Sequence, residues 1–176
     1  MLLDIAIQHF ADGEGGFFDT ADDAPALVRR PWDPADNAEP SGWLAVAHAC
    51  LTYAALTGLV EYRVIAERAL GVVSAMAGRA PRGVGWGLAA AAALLDGPVQ
   101  IAIVGEGDPV AGSSLRRIAH RATRPGAVVA FGDDAPLLHD RPALDGRPTA
   151  YVCRGFVCDR PTADPDELAD QVGARR

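Results

Sequence analysis

The sequence predicts a mixed α and β chain, αα-hairpins in the first half followed by a small β-α-β-β-α unit. Three observations carry that reading. Between residues 41 and 97, Ala-rich stretches repeat apolar residues at helical spacing, and each closes at a glycine, Gly58, Gly78 or Gly97. From Pro98 the pattern changes to short apolar runs, VQIAIV and AVVAF, with an amphipathic stretch between them. At 49% apolar residues in 176, the chain can fill a core and is not of disordered composition.

Residues 2–11, LLDIAIQHFA, read as the tail of an amphipathic helix, stopped by Asp12-Gly13-Glu14-Gly15-Gly16. Gly16–Thr20 reads as a short strand, with Ala26–Arg30 as its hairpin partner. A Pro- and Asp-rich loop runs from Pro31 to Pro40, and Ser41 stands where a helix N-cap belongs. The helix that follows, Gly42–Thr57, has apolar residues at 44, 47, 51, 54 and 55. A second, Glu61–Ala77, places Ile65, Ala69, Val72, Val73 and Met76 on one side. The short link makes these two an αα-hairpin. A third helix spans Trp86–Leu95, and its Ala89–Ala93 run implies close approach to a neighbour.

The boundary falls near residue 97, giving units 1–97 and 98–176. In the second unit, Val99–Val104 and Ala127–Phe131 read as strands and Ser113–Thr123 as the helix between them. One short crossover makes a parallel pair the default. Pro148–Val157 reads as a third strand, and Asp164-Pro165-Asp166-Glu167 opens a final helix.

Composition excludes several function classes. There is no lysine, so neither Schiff-base chemistry nor a Walker lysine is available. The net charge of −7 lies wholly in residues 1–40, where nine acids face only Arg29 and Arg30. An acidic front end argues against nucleic acid as a partner. Three cysteines, an odd and low number, suit a reducing cytoplasm. The N-terminus carries Asp4 and no basic region, unlike a signal peptide. Trp43–Val60 is uncharged over 18 residues, but His48, Thr52, Tyr53 and Thr57 favour a buried hairpin helix over a membrane span.

Four segments carry candidate chemistry. Gly105-Glu106-Gly107-Asp108-Pro109-Val110 follows a strand as a dinucleotide loop would, but Val110 replaces the third glycine and Pro109 removes an N–H. Arg116, Arg117, His120, Arg121 and Arg124 form a basic stripe, read as a solvated face or as a dock for an acidic partner. Cys153 and Cys158 are candidate redox thiols. In a continuous strand they would lie about 16 Å apart on opposite faces, so both are expected to stay reduced unless Gly155 bends the segment. The most chemical-looking region is the loop with Asp19, Asp22, Asp23, Arg30, Asp33, Asp36, Asn37 and Ser41 around Trp32 and Trp43. Carboxylates beside indole faces suit a saccharide, whereas Asx side chains equally build turns and caps. Arg30 is expected on Asp33 or Asp36. No metal or cofactor site is expected.

Three long motifs carry a family resemblance. Gly15–Asp23, GGFFDTADD; Val28–Gly42, VRRPWDPADNAEPSG; and Pro148–Cys158, PTAYVCRGFVC, resemble elements of the YyaL-type proteins, related to the spermatogenesis-associated thioredoxin-like protein. The chain departs from that pattern at Trp32, where lysine is common, and at Trp43, where relatives continue SGN. The resemblance implies a much longer protein: a thioredoxin-like N-terminal part, then an (α/α)6 toroid similar to N-acylglucosamine 2-epimerases and six-hairpin glycosidases. This chain would supply the last hairpins and the C-terminal α/β piece, with no complete active site. It has no C-x-x-C, so the thioredoxin-type site is not in it. Implied partners are the rest of the toroid or a second copy of the chain, with a saccharide as ligand. The alternatives are part of a carbohydrate-active enzyme and a free-standing interaction module.

Overall fold

The computed structural model describes residues 1–25, 28–105, 109–132 and 134–174. These form six α-helices and a four-stranded mixed sheet. The chain falls into two compact units, Met1–Ala54 with Val60–Leu95, and Ala55–Leu59 with Asp96–Arg176. Residues 55–59 thus go with the second unit, which a single cut at 97 does not capture.

The first unit contains α1 (Leu2–Phe10), most of α2 (Gly42–Thr57), α3 (Val60–Ala77) and nearly all of α4 (Gly85–Asp96), the last entered through a 3-10 turn at Pro81–Val84. Ser41 caps α2 as expected, its hydroxyl accepting the Leu44 N–H at 3.1 Å. Leu44, Ala47, Ala69, Leu70, Val73, Val84 and Ala90 close one part of the core around Phe17, and Cys50, Leu51, Ala66 and Ala93 another. Small residues let α4 approach its neighbours closely. A Cβ on Gly87 would stand 2.7 Å from Val73 Cγ2 and 2.9 Å from Leu44 Cδ1.

The predicted strand at Gly16–Thr20 is not formed. Phe17 makes only an isolated antiparallel bridge to Ala11. The reason is Asp12, whose Oδ1 accepts the N–H groups of Glu14, Gly15 and Gly16 at 2.7–2.9 Å and curls the chain. Of the proposed partner strand, Ala26 and Leu27 lie outside the described residues, and Val28 is exposed.

The second unit holds β1 (Val99–Val104), α5 (Pro109–Ala119), β2 (Val128–Phe131), β3 (Thr149–Arg154), β4 (Val157–Cys158) and α6 (Pro165–Val172). The sheet order is β2-β1-β3-β4, with β1 parallel to β2 and antiparallel to β3. Alternation divides the sheet's faces. Val99, Ile101, Ile103, Ala150 and Val152 pack with Leu115 and Ala119 of α5 and Leu168 and Val172 of α6. Ala102, Tyr151, Cys153, Val128 and Ala130 face the other way, with Leu137, Leu138 and Ala55. Asp164 caps α6 by accepting from Asp166 and Glu167.

Two expectations need correction. The crossover helix begins at Pro109, a residue suited to a first turn, and ends at Ala119 rather than Thr123. Arg121 and Ala122 then turn back on Ile118 and Ala119 with 2.9 and 3.0 Å backbone bonds. The basic stripe is therefore not one helical face: Arg121 and Arg124 lie past the helix, and Arg116 sits 5.4 Å from the Phe131 ring. Second, Pro148–Val157 is not one strand. Gly155 and Phe156 adopt φ of 54° and 66° and fold it into a hairpin. Among the described residues, no helix is long and apolar enough to cross a membrane.

Candidate functional site

The acidic loop is built by turning polar groups onto backbone. Asp33 Oδ1 accepts the Ala35 N–H at 2.8 Å, an Asx turn. Asp36 uses both oxygens: Oδ1 accepts from Ser41 N at 3.0 Å and Oδ2 from Trp86 N at 2.8 Å, at the start of α4. Its own N–H donates to Gly83 O at 2.7 Å. Ser41 donates its hydroxyl to Pro34 O at 3.2 Å. The Asn37 N–H donates to Glu39 O at 3.0 Å, closing the turn.

Arg30 contradicts expectation. It is not on Asp33 or Asp36, whose carboxylates are occupied by backbone N–H groups. Its Nη2 instead donates to the carbonyls of His9, at 3.0 Å, and Thr20, and the guanidinium lies 4.0 Å from the centre of the Phe18 ring. It thus ties the GGFFDTADD turn to the end of α1.

The indoles are brought together but not free. Trp32 and Trp43 stand 5.8 Å apart at 52°. Trp43 donates Nε1–H to Ala69 O at 2.8 Å and presses on Gly16. Only Trp32 is substantially exposed, at 47%. Asp19 lines a shallow, mostly apolar groove of about 420 Å³ with Phe10, Phe17, Phe18, Gly42 and Val46. Neither indole lines that groove, so the predicted set is split: Asp19 on the groove, Trp32 on the surface, the rest in the loop's own scaffold.

Sequence reading missed the role of His9. Its Nδ1 lies 2.7 Å from Asp22 Oδ1 and 3.8 Å from Asp23 Oδ2. The hydrogen bond to Asp22, reinforced by both carboxylates, pulls the His9 pKa above 6.5 and the Asp22 carboxyl below its usual range. These three residues could present a cation with ligand atoms within 4.8 Å of one another, but both acids are exposed and an ion pair accounts for the arrangement. The only sequence signal was the Asp22-Asp23 doublet.

In the second unit, the expectation that Cys153 and Cys158 stay reduced is overturned. The hairpin pairs them directly across β3 and β4, Cα atoms 3.8 Å apart, and they form a disulfide. The separation of five residues, which opposes two thiols in a straight strand, matches them in a hairpin with a two-residue turn. Arg141 Nη2 points at both sulfurs, at 3.8 and 3.5 Å. Buried Gln100 supports the turn: its Oε1 accepts from Phe156 N at 2.8 Å while Nε2 donates to Ala55 O at 2.6 Å. Cys50 is a buried free thiol, pushed up to about 11 by desolvation. Of the glycine-rich segment after β1, Glu106, Gly107 and Asp108 lie outside the described residues.

Comparison of the chain with protein-family models, with curated proteins and with solved structures gave no match.

Proposed function

We propose that the chain is the C-terminal segment of a YyaL-type thioredoxin-domain protein and serves there as a structural part, without a complete active site of its own. The observation that carries this is the inward turn of the acidic loop. Arg30 Nη2, both Asp36 carboxylate oxygens and the Ser41 hydroxyl are spent on backbone groups. A loop so engaged orders the starts of α2 and α4, and offers few groups to a substrate.

The three motifs support the family. The GGFFDTADD and DPADNAEPSG segments are the two arms of one tied loop, and PTAYVCRGFVC is β3, its turn and β4. Exposed apolar residues support the implied partners. Leu2 and Ile5 on α1, Val60 and Val64 on α3, and Leu88 and Leu95 on α4 are exposed at helical spacing. Such stripes suit burial by further hairpins or by a second copy.

One observation favours a second reading, a saccharide contact within a carbohydrate-active enzyme: the exposed Trp32 ring beside Trp43. Arg30→Ala separates the two, with stability measured by urea unfolding and binding by calorimetry against mono- and oligosaccharides. The scaffold reading expects a lower unfolding midpoint and no saccharide heat with either protein. Saccharide binding by the wild type that vanishes in a fully stable Arg30→Ala would overturn it.

A further inference from the structure

Arg141 is an unusual neighbour for a disulfide. Among the described residues it makes no ion pair, its Nε is buried without a hydrogen-bond partner, and Nη1 is held by His139 O at 3.0 Å. What remains, Nη2, is aimed at the sulfurs of Cys153 and Cys158. A neutral disulfide is a weak acceptor and returns little for a cation kept from carboxylates; a thiolate returns much more.

The frame around the covalent bond has supports of its own. The turn is set by Gly155 and Phe156 and by Gln100 on the Phe156 N–H. β3 pairs with β1 along its whole length, and Asp159 N donates to Val152 O at 2.8 Å just beyond the hairpin. The two sulfurs differ in access: Cys153 is 1% exposed, whereas Cys158 is only partly covered.

We propose that Cys153–Cys158 is a thiol–disulfide exchange site, worked by a dithiol partner, with Arg141 holding the negative charge that develops on sulfur. The partner's thiolate attacks Cys158 Sγ. A bond forms between them, the Cys153–Cys158 bond breaks, and its electron pair leaves on Cys153 Sγ beside Arg141. The partner's second thiolate then attacks its own sulfur in the mixed disulfide and releases Cys158 as a thiolate. The partner is oxidised by two electrons to a disulfide and the hairpin reduced by two. The two protons shed by the partner's thiols balance those the hairpin takes up. This inference is independent of the family reading, since it rests on the second unit's own geometry.

The test uses the full chain, dithiothreitol as the dithiol, iodoacetamide as the trap, and peptide mass to locate the label. Mild reduction should open the disulfide with the circular dichroism unchanged, labelling the partly exposed Cys158 but neither Cys153 nor Cys50, which stay buried. In the reduced wild type, alkylation of Cys158 against pH should reach half its maximum below about 8.5, the value of an unperturbed cysteine. Arg141→Gln should slow alkylation at pH 7 by about fivefold or more, and Arg141→Lys should recover much of that rate. Reduction that requires unfolding, a wild-type half-point at or above 8.5, or a Gln variant with an unchanged profile would each overturn the proposal and leave a simple staple. The wild-type profile decides the matter even where the Gln variant fails to fold.

Discussion

Replacing Asp36 with Ala tests the loop where its structural role is most concentrated. Two N–H groups lose a carboxylate acceptor: Ser41 N at 3.0 Å, just before α2, and Trp86 N at 2.8 Å, in the first turn of α4. Bonds to a charged acceptor contribute about 1.5–3 kcal/mol each. The α4 bond also carries the attraction of a carboxylate for a helix N-terminus. Because Asp36 is only half-buried, water recovers part of both terms, and a net loss of about 2–3 kcal/mol is expected. Asp36→Asn keeps one acceptor oxygen and should lose about 1 kcal/mol. Asp33→Ala, which frees only the Ala35 N–H, should lose under about 1 kcal/mol. Urea unfolding followed by tryptophan fluorescence is the suitable assay, because Trp32, Trp43 and Trp86 all belong to the first unit and report on it alone. If Asp36→Ala unfolds at the wild-type midpoint, the carboxylate is not a clamp and the scaffold argument for this loop fails.

The remaining predictions concern two glycines and two histidines. A Cβ on Gly16 would stand 2.3 Å from Trp43 Cη2 and 2.4 Å from Asp12 Oδ2, and the indole cannot easily move because Ala69 O holds it. Gly16→Ala should therefore cost about 2–3 kcal/mol. Gly13→Ala, with nothing within 4 Å and only its φ of 84° to strain it, should cost about 1 kcal/mol; equal losses in the same urea assay would refute the packing argument. For the histidines, the Asp22 hydrogen bond raises His9 above 6.5, and burial lowers His48 below it. His9 therefore stabilises the fold fully below pH 6.5 and loses that contribution as pH rises through its raised value. His48 does the reverse, weakening the fold as pH falls from 6.5 through its lowered value. An NMR titration should find His9 titrating above His48, and the opposite order would refute the Asp22 contact of His9, the burial of His48, or both.

Much of the helical half was legible because its stops are chemical. Gly58 and Gly97 take φ of 80° and 76° at helix ends, and Ser41 caps α2, so composition and boundary agree. The parallel β1–β2 pair followed from one short crossover, whose handedness and length leave few choices. The partner of Arg30 is not legible in the sequence, for a physical reason. Counting charges favours a carboxylate partner, yet backbone N–H groups at turns and helix starts compete for the same carboxylates and occupy Asp33 and Asp36. The cysteine pairing is not legible because an αL conformation at Phe156 has no local signature: a bulky residue rarely adopts it, and here Gln100, remote in sequence, supports it. The split of Asp19 from the tryptophans is likewise invisible in one dimension, since all three lie in one stretch of chain.

The sheet's edges have a consequence for how the protein behaves in company. β1 and β3 run six residues each in its middle, while the edges are β2 with four and β4 with two. An edge strand is a template on which a foreign strand can grow, and its hazard rises with the length of unpaired backbone it offers. Here one edge is the two-residue β4 that follows the turn at Gly155 and Phe156, and the chain beyond it stays on β3 through the Asp159 N–Val152 O bond and the Ala150–Thr162 bridge. The other terminates at Phe131, a residue that would be sticky alone but has the Arg116 guanidinium 5.4 Å from its ring and the His120 ring edge-on at 6.3 Å. Charge stationed beside an exposed aromatic at a strand end is a gatekeeper's position. A short β2 with a guanidinium at its end leaves an Ile- and Val-rich sheet little free edge on which to grow. Lengthening β2 or neutralising Arg116 would open it to ribbon-like polymerisation.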